Sequence, residues 1–276
     1  MEYSKLTIKD EAFSGEKFNL IKDEYGVLKT NPQPKDITPY YNFDTYISHQ
    51  SEKRTGITWV YNTVKELMQR SKLRLLLNFR KDIHKVLDVG CGTGDFIEFL
   101  ESKYIKAEGI EPTPIASDKA KKKNLHVYRK IDDCENTFDA ITLFHVLEHV
   151  ENYNKTIDQL IKKLKPNGLI LIAVPNYKSY DANYYKDKWA AWDVPRHLWH
   201  FNKSDMLDLG KRHNLELLKI KGMPWDAFYI SMVSEAYKGN SKLKGVFTGL
   251  LSNFFALATK EYSSNLFLFQ KRDLKA

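Results

Sequence analysis

The chain has 276 residues, 42% of them hydrophobic, and 43 Lys and Arg against 35 Asp and Glu give a net charge of +8. That length and apolar fraction suit one large core with at most a modest appendage, and they exclude a disordered or fibrous chain. The longest apolar stretches, such as Leu169 to Val174, are too short to span a bilayer, and the opening MEYSKLTIKDEAF has no apolar signal segment, so a cytoplasmic protein without a transmembrane segment is expected.

Residues 1–55 are polar, dotted with aromatics and broken by Pro32, Pro34 and Pro39, which predicts an irregular extension or short strands rather than a domain. From residue 56 the pattern becomes regular. Val60, Val64, Leu67 and Met68 recur at helical spacing and predict a helix to about Phe79. Apolar runs then predict strands near 85–89, 106–110, 125–129, 138–144 and 168–174, with helices between most of them. Strands joined by single helices imply right-handed crossovers and a mostly parallel, doubly wound sheet. Val174-Pro175-Asn176 stops this alternation, and a loop rich in Tyr and Trp follows over about 177–202. Two more strands are expected at Leu215–Ile220 and Leu266–Gln270, separated by a helical insertion at about 225–260. On its second helix Phe247, Leu250, Leu251, Phe254 and Ala258 share one face. Core or lid is the expected fate of that face, since an interfacial membrane helix needs the face exposed and Lys242, Lys244 and Lys260 supply only cationic flanks.

The basic residues fall in helix-like runs, Lys119 with Lys121 to Lys123, and Lys162, Lys163 and Lys165. Lysines at helix C-termini complement the macrodipole, and no aromatics interleave them, so a solvated face is favoured over a nucleic-acid surface. Cys91 and Cys134 have no zinc spacing, and neither a disulfide nor a metal role is expected.

The most informative stretch is VLDVGCGTGDF, Val86 to Phe96, an apolar strand running into a glycine-dense turn that opens a helix. Such a turn suits a nucleoside-like ligand, because Gly90, Gly92 and Gly94 remove Cβ atoms where a ligand would approach. A dinucleotide fingerprint would place its third glycine at position 95, which is Asp95; here it comes one residue early, at Gly94. An acid at the helix start also disfavours a pyrophosphate. Glu111 ends the next strand, 21 positions after Gly90, where a carboxylate can accept both hydroxyls of a ribose.

On these residues the chain resembles the class I S-adenosylmethionine-dependent methyltransferases, whose motif E/D-x-G-x-G-x-G is matched by Asp88, Gly90, Gly92 and Gly94. The resemblance runs from about Val86 to Asn176, and more weakly beyond. It implies a Rossmann-like α/β fold with a seven-stranded sheet whose last strand is antiparallel, and a methyltransferase domain over 56–276. It also implies S-adenosyl-L-methionine as cofactor, with Asp88, Gly90, Cys91, Gly92, Gly94 and His145 around its amino acid part. Glu111 would take the ribose, and Asp132 or Asp133 would approach the adenine amino group.

The fourth strand ends at His145-Val146-Leu147-Glu148-His149, which formally matches the H-x-x-E-H zinc pattern. Zinc is rejected, because that pattern belongs on a protease helix and this one sits past a strand end, in the crevice where wound sheets bind ligands. Family members often carry E-H-V or E-H-L here, which puts His145 and His149 beside cofactor and acceptor. Enzymes that methylate exocyclic base amines usually show Asn/Asp-Pro-Pro-aromatic at this point, whereas this chain reads Phe144-His145-Val146-Leu147. The loop 177–202 supplies the acceptor candidates Tyr185, Trp189, Trp192 and Arg196, the last able to hold a carboxylate or phosphate. An activated methyl needs an aligned, deprotonated nucleophile, so His145, His149, His197 and His200 are the candidate bases. The expected function is methylation of a small-molecule acceptor at oxygen. A nucleic-acid or protein methyltransferase, or a silent cofactor-binding scaffold, are the alternatives. The acceptor's identity and the oligomeric state stay open.

Overall fold

The computed structural model describes Tyr3, residues 6–41 and residues 57–272, with side chains of the second stretch from Thr63 onward. The boundary expected near residue 55, and the Val60 side chain, lie outside the described residues. In chain order the elements are β1 (Thr7–Lys9), β2 (Lys17–Lys22), β3 (Leu28–Asn31), α1 (Ile57–Phe79), β4 (Lys85–Val89), α2 (Asp95–Glu101), β5 (Lys106–Ile110), α3 (Pro114–Lys122), β6 (Val127–Tyr128) and β7 (Phe138–Phe144). They continue with α4 (Tyr153–Lys162), β8 (Leu164–Pro175), α5 (Tyr180–Tyr185), β9 (Trp199–His200), α6 (Lys203–Arg212), β10 (Leu215–Gly222), α7 (Pro224–Tyr237), α8 (Lys242–Thr259) and β11 (Ser264–Lys271).

Seven strands form the main sheet in the order β10-β11-β8-β7-β4-β5-β6. β4 runs parallel to β5 and β7, β7 runs parallel to β8, and β11 is antiparallel to both its neighbours, as the Rossmann-like reading expects. The period-2 alternation of β4 divides the core: Val86 faces Leu76, Ile97 and Leu100, while Leu87 and Val89 face the opposite layer with Ile157, Leu160 and Leu209. Residues 164–175 form one strand, but its register against β7 shifts between Phe138↔Leu164 and Ala140↔Leu169, so the expected Pro166–Gly168 turn survives as an irregularity within it. Sequence order reverses between β4 and β7. A doubly wound sheet opens its ligand crevice at the carboxyl ends of the strands flanking such a reversal.

Of the two N-terminal expectations, short strands are what residues 6–41 form. β1, β2 and β3 pair in antiparallel fashion, and β3 pairs with β9 from the aromatic loop, as Leu28↔His200 and Lys29↔Trp199. The reason lies in the loop, whose Tyr177, Trp189, Trp192 and Val194 form a third core with Ile8, Phe18, Leu20 and Leu28. Arg196, 2% exposed, locks the two together: its guanidinium donates to Asp10 Oδ1 at 2.9 Å and to Asp193 Oδ1 at 2.9 Å. Removing one partner of a buried ion pair leaves the other uncompensated. Arg196→Ala is therefore expected to cost about 3 kcal/mol of stability in denaturant titration, with Asp10→Asn restoring part of it in the double variant.

The insertion between β10 and β11 departs from expectation. α7 and α8 form a hairpin, but Phe247 is 68% exposed, Phe254 67%, and Leu250, Leu251 and Ala258 also face outward, so that helical face is neither core nor a closed lid. Among the described residues no helix is long and apolar enough to cross a membrane.

Candidate functional site

The glycine turn lies at the carboxyl end of β4, and its three glycines all have left-handed backbones, with φ of 68°, 56° and 82°. Their reasons differ. A Cβ at Gly90 would sit 2.3 Å from Val146 Cγ2, and one at Gly94 would sit 2.2 Å from Leu125 Cδ1, so these two make room for the protein's own side chains. Of the three, only at Gly92 would a Cβ meet nothing within 4 Å among the described residues, so there the turn faces open space. Glu111, 7% exposed, accepts N–H bonds from Gly92 at 2.9 Å and Thr113 at 2.8 Å, which aims its carboxylate along the open side of the turn. Each oxygen keeps a lone pair for a ribose hydroxyl. An open backbone cradle with a fixed carboxylate beside it fits a phosphate-free nucleoside. Cys91 is buried with its thiol pushed up by burial, and it fills space that the missing Cβ of Gly109 leaves on β5.

Asp88, behind the turn, is buried, and burial raises its pKa to about 6 against the opposing pull of a 2.6 Å bond from Thr142 Oγ1 and of Lys72. Lys72 Nζ lies 3.4 Å from the Phe144 ring centroid, its pKa lowered by burial. Asp95 at the start of α2 is ion-paired to Lys65 and Lys123. Its charge is thereby offset, and the case against a pyrophosphate rests on glycine spacing rather than on repulsion. Asp132 and Asp133 sit exposed in a single 3-10 turn after β6, where Asp133 accepts from Lys130 N and Asp132 accepts from Gln159.

Because Val146 packs on Gly90, the segment His145–His149 lies against the turn. His145 has φ +56°, and its two nitrogens reach Asp226 Oδ2 at 3.0 Å and Glu148 Oε1 at 3.3 Å. Burial opposes its charge, but the two carboxylates win and raise its pKa to about 10. The two carboxylates favour its imidazolium form, which makes it the weaker candidate base. His200 is buried on Thr30 Oγ1 at 2.9 Å, its pKa lowered by burial, and it belongs to the β3–β9 joint. His197 donates Nδ1–H to the Ala191 carbonyl at 2.9 Å, and burial and then His149 lower its pKa to about 4. His149, half-buried, has Nδ1 at 3.0 Å from the Arg196 carbonyl and 3.0 Å from Tyr41 Oη. A carbonyl only accepts, so Nδ1 carries the proton and Nε2 is the basic nitrogen. Glu148, His149 and His197 each bring a potential ligand atom within 4.8 Å of the others, and Glu148 Oε2 is buried without a hydrogen-bond partner among the described residues.

Residues 61–220, more than half of the chain, match a family model described as a methyltransferase domain. The chain belongs to that methyltransferase family. Among its relatives is the ubiquinone biosynthesis O-methyltransferase of Pelagibacter ubique, 29% identical over 226 residues, which cover 75% of this chain and 85% of the relative. The protein of the same name from Rickettsia conorii is 27% identical over 241 residues, covering 74% and 82%. A SAM-dependent methyltransferase from Archaeoglobus fulgidus shares the fold at a TM-score of 0.50 and 16% identity, covering 75% of this chain and 94% of that one. The cofactor of this methyltransferase is S-adenosyl-L-methionine.

The methyltransferase's four acceptor candidates do not line an open site. Tyr185 donates its hydroxyl to Glu235 at 3.1 Å, Trp189 its indole N–H to Asp181 at 2.7 Å, and Trp192 its own to the Lys186 carbonyl at 2.7 Å. All three are buried, as is Arg196, and the gap beside Trp189, His197 and His200 is too small for a water molecule. These side chains were needed to glue the loop to the N-terminal strands. Sequence reasoning missed Lys72 and Asp226. Lys72 was visible as a charge on the otherwise apolar face of Val64, Met68 and Leu76; Asp226 gave no signal, since its partner is 81 residues away.

The His145 pair makes stability depend on pH. A histidine whose folded pKa is raised from 6.5 to about 10 contributes stability fully below 6.5 and loses it as pH climbs toward 10. The expected result is a melting temperature that falls across that window by differential scanning fluorimetry. Asp226→Asn should lower it at neutral pH and shrink the difference from the parent protein by pH 10.

Proposed function

We propose that this methyltransferase methylates a hydroxyl of a small-molecule acceptor, with His149 as proton acceptor. The cofactor supplies an activated methyl on a sulfonium sulfur. Gly92 and Glu111 hold and orient its nucleoside, and His149 Nε2 takes the proton from the acceptor hydroxyl as the nucleophile forms. The observation that carries this reading is the fixed Nδ1–H of His149, which leaves a basic nitrogen on the segment that packs against the glycine turn. Glu148 stabilises the resulting imidazolium: burial resists its ionisation, but His145 keeps its pKa lowered, so it is a carboxylate. The relatives' name, ubiquinone biosynthesis O-methyltransferase, supports oxygen as the methylated atom. The basic runs do not favour a nucleic-acid acceptor, since Lys123 is spent on Asp95 and Glu98, and Lys163 on the Cys134 carbonyl.

The test is incubation with trideuteromethyl cofactor and a panel of hydroxylated and amino ring compounds, read by mass spectrometry. Label on oxygen supports the reading; label confined to amines contradicts it. One observation favours a variant of it: Glu148, His149 and His197 have the composition to hold a divalent cation beside the hydroxyl. Loss of turnover on chelation, restored by added metal, would give the trio to a cation instead of a proton.

A further inference from the structure

Helix α8 is built inside out for a helix in water. At about 100° per residue, Gly245, Thr248, Gly249, Ser252 and Ala256 share one face, and that face is the buried one. A Cβ on Gly245 would lie 2.5 Å from Met232 Cα, and one on Gly249 would lie 2.9 Å from Phe228 Cα, so the Gly-x-x-x-Gly pair brings α8 against the α7 backbone. The opposite face carries Leu243 at 73% exposure, Phe247, Leu250, Phe254 and Leu257, and Trp225 of α7 is exposed as well. A water-soluble amphipathic helix buries its large residues and shows its small polar ones; this hairpin does the reverse.

Charge says what covers it. The hairpin's two acids point inward: Asp226 is bonded to His145, and Glu235, 0% exposed, is bonded to Tyr185 and Asn240. Lys238, Lys242 and Lys244 gather at the α7–α8 turn and Lys260 stands at the far end, all exposed or half-buried. We propose that the α7–α8 hairpin docks the enzyme on an anionic lipid bilayer, lying in the interface with its apolar face among the acyl chains and its lysines on the headgroups. The helix is about 27 Å long, enough to lie in the plane over several lipids. A second copy of the chain fits less well, because parallel pairing of α8 sets Lys242 and Lys244 against their own kind and antiparallel pairing sets them against Lys260. The Asp226–His145 bond roots the hairpin beside the proposed catalytic segment.

The test is co-sedimentation of the full chain with phosphatidylcholine vesicles, with and without phosphatidylglycerol. The expected result is sedimentation with the anionic vesicles, weakened by high salt. Phe247→Glu with Phe254→Glu should reduce it at least about tenfold, and Lys242→Gln with Lys244→Gln should reduce it several-fold on anionic vesicles alone. These side chains are on the surface, so melting temperature and S-adenosylhomocysteine uptake in solution should be unchanged in both variants. Absence of sedimentation with either vesicle, or equal sedimentation of the Phe247→Glu, Phe254→Glu variant, would overturn the proposal. So would light scattering that shows a dimer broken by that variant without vesicle binding.

Discussion

Gly92→Ala is expected to leave the protein folded and stop it taking up cofactor, while Gly90→Ala, two residues away, is expected to damage the fold itself. Both positions have left-handed backbones, which cost an alanine about 1–2 kcal/mol. At Gly92 the added methyl meets nothing among the described residues, so backbone strain is the stability cost expected there. The methyl instead occupies the opening of the turn where the cofactor is proposed to approach. At Gly90 the methyl meets the stiff β-branched Val146 at 2.3 Å, adding about 1–3 kcal/mol of overpacking. Thermal denaturation paired with calorimetric titration of S-adenosylhomocysteine separates the two effects. A Gly92→Ala protein that binds normally would show that the turn's open side is not the cofactor's.

His149→Ala is expected to lower kcat by about 10²- to 10⁴-fold, the range of positioned acid–base catalysis, with cofactor affinity nearly intact. His145→Ala should behave differently. It removes an imidazolium held by Asp226 and Glu148, so its loss shows as lowered stability before it shows as lost proton transfer. His200→Ala should weaken the β3–β9 joint through Thr30 and touch the rate only through folding. An unchanged kcat in His149→Ala would remove histidine base catalysis from the mechanism.

The central strands could be read from the chain because residues buried on both faces leave continuous apolar runs, and Val86–Val89 and Phe138–Phe144 are such runs. The cofactor motif was legible because left-handed turns and close packing both demand glycine, and two of its three glycines also make room for Val146 and Leu125. Helix α6 went unread beneath the aromatic loop, yet Asn202 and Asp205, which cap it reciprocally, were a visible start signal. What the sequence hid was long-range pairing. Arg196 reads as an anion hook until Asp10, 186 residues away, is found against it, and His145 reads as a base until Asp226 is. On α8, spacing told which residues share a face but not which way that face turns; the small residues opposite, Gly245 to Ala256, held that information.

We propose that the carboxyl ends of β4 and β5 grip the nucleoside of S-adenosyl-L-methionine through Gly92 and Glu111. Calorimetric titration of S-adenosylhomocysteine into the parent protein and Glu111→Ala tests it most directly. The expected result is saturable one-site uptake by the parent and at least about a tenfold weaker affinity in the variant, the loss of two charge-assisted hydrogen bonds. No uptake by the parent, or equal uptake by both proteins, would contradict it.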